Sequence, residues 1–140
     1  MKIFIDTNIL LDVFLERPPA YDASASIWGI AESGKADVYI SAISFNNIHY
    51  IIRKHIGREC AQHAVEVLNA NFSLAPLVQD VITKAIMAKL PDFEDSIQFF
   101  SALSIGADCI VTRNAKDFPQ DVIPIFTPEL FLAQYSNELS

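Results

Sequence analysis

The sequence predicts an α/β fold built on a central, mainly parallel sheet of four to five strands. Three observations point there. Short apolar runs alternate with longer segments of helical period, which is the pattern of repeated βαβ units. The chain is long enough, at 140 residues, to bury one core without disulfide or metal staples. Its composition, 51% hydrophobic and 19% charged, suits a compact domain, and no repeat, low-complexity tract or linker divides residues 1–140.

The first strand, Lys2 to Ile5, is a continuous apolar run that stops on Asp6. A helix follows to about Leu15, where Arg17-Pro18-Pro19 breaks it. A second helix runs from Pro19 to Glu32 and stops at Gly34. Asp37 to Ile40 reads as the second strand, and a helix from Ser44 to Ile56 ends before Gly57. Glu59 to Ala70 is the next helix, followed by a strand at Phe72 to Leu74 and a helix from Val78 to Lys89. Phe93 to Ile105 is helical and leads into the strand Cys109 to Val111; Ile123 to Phe126 is the last strand and Pro128 to Tyr135 the last helix.

The bulk properties exclude several classes. No run approaches the roughly 18 apolar residues of a membrane span, and the first residues enter a strand pattern without a basic, apolar leader, so a cytoplasmic location is expected. Cys60 and Cys109 have no partner at metal-ligand or redox spacing and are expected to be small buried hydrophobes. Ten basic and seventeen acidic residues give a net charge of −7, against a protein that coats nucleic acid by charge alone. An enzyme acting on nucleic acid remains compatible, because carboxylates for cations and a local basic patch average out in the total.

In an open parallel sheet, ligands gather outside the carboxyl ends of the strands, near the switch in strand order. Asp6 follows the first strand there, and Asn114 and Asp117 follow the strand Cys109 to Val111. Asp95 lies in the first turn of the crossover helix leading to that strand, whose N-terminus faces the same edge. Each has a plainer reading. Asp6 could cap its helix, Asp92 and Asp95 could be the N-cap and third helical residue of "DFED", and Asp117 could be a turn residue. For Asp92 the cap is the preferred reading. Converging carboxylates repel one another unless a hard cation such as Mg²⁺ or Mn²⁺, which takes oxygen ligands and water, sits among them.

Basic residues cluster at Arg53, Lys54 and Arg58, either as a solvated helix end or as contacts to phosphates; Arg113 and Lys116 flank the proposed cation site and are the better candidates. His49, His55 and His63 have no metal-pair spacing and are read as structural or surface residues. Trp28, Tyr50 and Phe100 sit on helical periods and are read as core.

"FIDTNILLD" and "DFEDSIQFFSALSIGADCIVTRNAKDF", together with the chain length, resemble the PIN domain, in particular the bacterial nucleases related to VapC-type toxins. The resemblance spans essentially the whole chain. It implies an α/β/α sandwich, metal-dependent endonucleolytic cleavage of RNA with Mg²⁺ or Mn²⁺, a small antitoxin as partner, and a homodimer. By position it makes Asp6 the first acidic ligand and Asp95 the main helical one, with Asn114 and Asp117 sharing the last. Asn8 and Thr112 resemble the polar residues that hold those carboxylates. The pattern departs at Asn47, where the family usually has a glutamate; with Ser44 as N-cap, Asn47 would be the third helical residue of a weak capping box. Asn can ligate through its carbonyl but brings no charge, which weakens a second metal and leaves Asp92 or Glu94 to compensate. The alternative that follows is a PIN-fold module that binds RNA or protein without cleaving. Apolar residues on the helices Ile9 to Leu15 and Ala20 to Ala31 are either the partner surface or simply pack on each other.

Overall fold

A computed structural model describes residues 1–139. Five strands form one sheet in the order β3-β2-β1-β4-β5, every neighbouring pair parallel. They are β1 (Lys2–Ile5), β2 (Asp37–Ser41), β3 (Ser73–Ala75), β4 (Cys109–Val111) and β5 (Ile125–Phe126). The helices are α1 (Thr7–Phe14), α2 (Tyr21–Ser33), α3 (Ala42–His55), α4 (Arg58–Asn71), α5 (Gln79–Ala88), α6 (Phe93–Ser104) and α7 (Pro128–Leu139), with a 3₁₀ turn at Ala115–Asp117.

β1 is central and covered on both faces, which is why it reads as an unbroken apolar run. Ile3 and Ile5 enter one core with Val38, Ile40, Cys109 and Val111, and residues of α1, α2, α3, α4 and α7 complete it. Phe4 and Ile110 point the other way, into a second core with Phe99 and Ala102 of α6. Side chains of successive strand residues thus alternate between two helical layers, the three-layer arrangement expected.

Chain order runs outward from β1 to β3, then returns to place β4 against the other side of β1. That return is the switch point, and Asp6 N–H donates to the Val111 carbonyl across it at 3.0 Å.

Several expectations need correction. Helix α3 starts earlier, at Ala42, with Ser41 as the N-cap whose hydroxyl accepts from Ile43 N–H at 3.2 Å. Ser44 is instead buried against Thr7, hydroxyl to hydroxyl at 2.7 Å, so Asn47 closes no capping box. β5 is shorter than Ile123 to Phe126, beginning after Pro124, which has no N–H to offer a ladder. Cys60 is exposed, not buried; Cys109 is buried as expected. The apolar residues proposed as a partner surface pack inward: Ile9, Leu10 and Leu11 of α1 and Ile27, Trp28 and Ile30 of α2 belong to the core. Exposed large apolar side chains lie on other elements, among them Leu74, Leu77, Val78, Ile86, Met87 and Phe93.

Candidate active site

A cleft of about 840 Å³ opens at the carboxyl edge of the sheet. Its walls include Asp6 and Asn8 from the β1–α1 junction, Asn47 and Tyr50 from α3, Asp92, Glu94 and Asp95 from the start of α6, and Asn114, Lys116 and Asp117 after β4.

Asp6 occupies the N-cap position of α1 with extended backbone, yet its side chain makes no capping hydrogen bond. It is 3% exposed and accepts a 2.7 Å bond from the Thr112 hydroxyl. The neighbouring amides of Thr7 and Asn8 favour its ionised form without reaching capping geometry. Thr112 Oγ1 also accepts from Asn114 N–H at 3.1 Å, and Asn8 Oδ1 accepts from Arg113 N–H at 3.5 Å. The turn carrying Asn114 and Asp117 is thereby tied to the end of β1.

Asp92 is the N-cap of α6, its carboxylate accepting from Asp95 N–H at 2.9 Å. Burial pushes the Asp95 carboxyl up to about 7, with the charges of Asp6, Asp92, Glu94 and Asp117 adding to it. Burial likewise raises Asp6 to about 6; the Thr112 bond opposes the shift and the Glu94 charge reinforces it.

Beneath the cleft, buried Gln98 donates to Thr7 Oγ1 at 2.7 Å, joining α6 to the Thr7 and Ser44 pair. Gln98 and Ser44 are small parts of a polar network whose members are far apart in sequence, and nothing local announces them.

The basic residues divide. Lys116 lines the cleft. Arg113 turns away to pair with Asp12 at 2.8 Å; Asp12 is fully buried, and the Ser24 hydroxyl donates to the same oxygen at 3.3 Å. An aspartate inside the apolar run "ILLDVF" was the sequence signal for this pair. Arg53 and Lys54 are exposed in the last turn of α3, outside the cleft walls, as is Arg58 at the start of α4. Tyr50 corrects the expectation of a core residue: it is 54% exposed and lines the cleft, one helical turn beyond Asn47. Trp28 and Phe100 do pack in the cores.

The donor set fits a hard divalent cation. Beyond burial, the charge of Glu94 raises Asp6, and the charges of Asp6, Asp92, Glu94 and Asp117 raise Asp95; a cation relieves that repulsion. Among the described residues no three acidic, histidine or cysteine side chains converge closely enough to hold one ion between them, so the carboxylates face a shared cleft rather than a closed cage. Mg²⁺ is commonly held in that way, by one or two carboxylates with several waters retained.

Known proteins resemble the chain in sequence and in fold. The chain is 26% identical over 141 residues to "Ribonuclease VapC1" of Aquifex aeolicus, covering 97% of this chain and 96% of that one. Among solved structures, a DNA-bound VapBC from Salmonella typhimurium superposes with a TM-score of 0.71 at 20% identity, over 91% of this chain and 98% of that one. Mycobacterium tuberculosis VapC20, described as a toxin that cleaves the sarcin-ricin loop, gives 0.63 at 14% identity, over 77% and 86%. The PIN domain model matches residues 2–116, from the strand that leads to Asp6 into the turn after Thr112, and on that match the chain belongs to the PIN domain family.

Proposed function

We propose that residues 1–140 act as one domain, a metal-dependent endoribonuclease that hydrolyses RNA phosphodiester bonds and is the toxin of a type II toxin and antitoxin pair in the cytoplasm. The observation that carries this reading is the meeting of Asp6 and Asp95, from distant segments of the chain, in one cleft at the switch point of the sheet. The ribonuclease name of the Aquifex relative supports the activity, and the VapBC neighbours support an antitoxin partner. A homodimer belongs to the same reading.

In this reading Asp6 and Asp95 hold Mg²⁺ or Mn²⁺, with Asp117 or Asn114 assisting directly or through water. A bound divalent ion supplies an activated water and charge stabilisation for the phosphate. Thr112 and Asn8 keep the β1 end and the 112–117 turn in register, and Asp92 fixes the helix turn that bears Asp95. Lys116 meets phosphate at the cleft, and Arg53 and Lys54 meet it farther along the strand. Arg113 contributes by anchoring its turn through Asp12. Tyr50 presents an aromatic face on which a base can stack. A fully hydrated ion occupies on the order of 200 Å³, taking about 30 Å³ per water, so the cleft has room for substrate beside it.

The test is cleavage of structured and single-stranded RNAs by purified protein in Mn²⁺, with EDTA and Asp6→Asn in parallel. Loss of cleavage in both controls supports the reading. Equal behaviour of wild type and variant sinks it and favours a binding module.

A further inference from the structure

We infer that Glu94 is the fourth carboxylate of the cation site in the cleft and that Asn47 is the residue that positions it; the inference rests on the reading of the cleft as a metal centre. Asn47 belongs to α3 and Glu94 to the first turn of α6, and they meet across the cleft, Asn47 Nδ2 donating to Glu94 Oε2 at 3.1 Å. Both side chains are partly buried and both line the cleft with Asp6 and Asp95.

The charge of Glu94 is close enough to act on both of those aspartates. Yet the ion pairs found among the described residues are Lys84 with Asp80 and Arg113 with Asp12, and neither involves Glu94. A first-turn glutamate gains from the helix dipole wherever it points. That gain leaves unexplained why this one turns toward like charges and is held there. An amide donor supplies direction without neutralising charge: it occupies one carboxylate oxygen and leaves Oε1 for another partner. A divalent cation in the shared cleft, reached by some of these carboxylates through retained water, is the partner that relieves the repulsion among Glu94, Asp6 and Asp95.

The experiment is calorimetric titration of Mn²⁺ into the metal-free protein, with Glu94→Gln, Asn47→Ala, the double variant, and Asp6→Asn as the reference for the site. Glu94→Gln is expected to weaken Mn²⁺ binding about tenfold or more, and Asn47→Ala to weaken it by about tenfold, the usual scale for a residue that orients a ligand. The double variant should bind no more weakly than Glu94→Gln alone, because Asn47 acts through Glu94. If Glu94→Gln does not fold, Glu94→Asp, which keeps the charge and withdraws it by one methylene, should show the same loss.

Wild-type affinity in folded Glu94→Gln or Glu94→Asp, with binding abolished in Asp6→Asn, removes Glu94 from the site while the metal centre stands. Losses that add in the double variant overturn the positioning role of Asn47. A wild-type protein that takes up no Mn²⁺ overturns the metal centre itself, and this inference with it.

Discussion

Thr112 donates its hydroxyl to the Asp6 carboxylate at 2.7 Å, joining residues 106 positions apart, and the same oxygen accepts the amide of Asn114. One side chain therefore sets both the acid at the end of β1 and the start of the turn that presents Asp117. Thr112→Val keeps the shape but leaves a buried carboxylate oxygen and an amide without their partner, at about 1–3 kcal/mol. The expected result is a melting temperature lower by several degrees and weaker Mn²⁺ binding, with Thr112→Ser close to wild type. Unchanged metal affinity in Thr112→Val would confine the residue to a packing role.

Asp6→Asn retains an oxygen that can accept from Thr112, so the fold should persist while cleavage and Mn²⁺ binding are lost. Because the substitution removes a charge that burial disfavours, the metal-free variant should melt no lower than wild type at mildly alkaline pH. Melting curves in EDTA and RNA cleavage assays check the two halves separately.

Stability of the metal-free protein should fall as pH rises. Asp6 and Asp95 are held at about 6 and about 7, against an ordinary 3.8. Raised folded-state values mean that folding takes up protons; the added stability is complete below the unfolded value and is lost as pH passes the folded ones. The melting temperature should drop by several degrees between about pH 4 and about pH 8, at about 2–4 °C per kcal/mol for a chain of this size. Mn²⁺, binding the native state alone, should recover the loss at the alkaline end. A flat profile in EDTA would contradict the burial of these charges.

Arg113→Ala removes the partner of fully buried Asp12. Breaking a buried pair costs about 3–5 kcal/mol, and the 39% exposure of Arg113 places this one toward or below the lower end. The variant should melt lower by several degrees yet bind RNA nearly as wild type does at a temperature where it is folded. A large affinity loss without destabilisation would return Arg113 to the RNA contact first expected of it.

Tyr50→Ala should weaken binding of a single-stranded RNA by the loss of one stacked base, about 1–3 kcal/mol, while Mn²⁺ affinity is unchanged. Tyr50→Phe should bind like wild type. Fluorescence anisotropy with labelled oligonucleotides measures both, and equal affinities for all three proteins would remove Tyr50 from the substrate path.

The sheet was legible because its residues obey local rules. Ile3, Phe4 and Ile5 are apolar on both faces, as a covered parallel strand must be, and Gly34 closes α2 in the left-handed conformation at φ 71. The convergence of Asp6, Asp95 and Asp117 followed from topology, since β-strand ends and crossover-helix starts share one edge. What stayed hidden depended on contacts between distant segments. Ser44 looked like a cap until Thr7 claimed its hydroxyl, and Arg113 looked free until Asp12 did. Tyr50 stands two residues from each of the core residues Ile48 and Ile52, so helical spacing turns it away from their stripe, and the position of α3 decides that the face it occupies opens on the cleft.

The placement of β1 at the centre of the sheet sets the order in which the molecule can come into being. Its two neighbours, β2 and β4, are far apart in sequence, with two helical crossovers between them, so one side of the central strand stays unzipped until the chain has been made past Val111. During synthesis Asp6 emerges first and waits for Thr112, which arrives 106 residues later. Closure across so long a span is slow and comes late. A chain that stops short of Val111 thus carries Asp6 and Asp95 without the site, and whatever this cleft does begins only once the turn at Asp117 has been made and β4 has paired with β1.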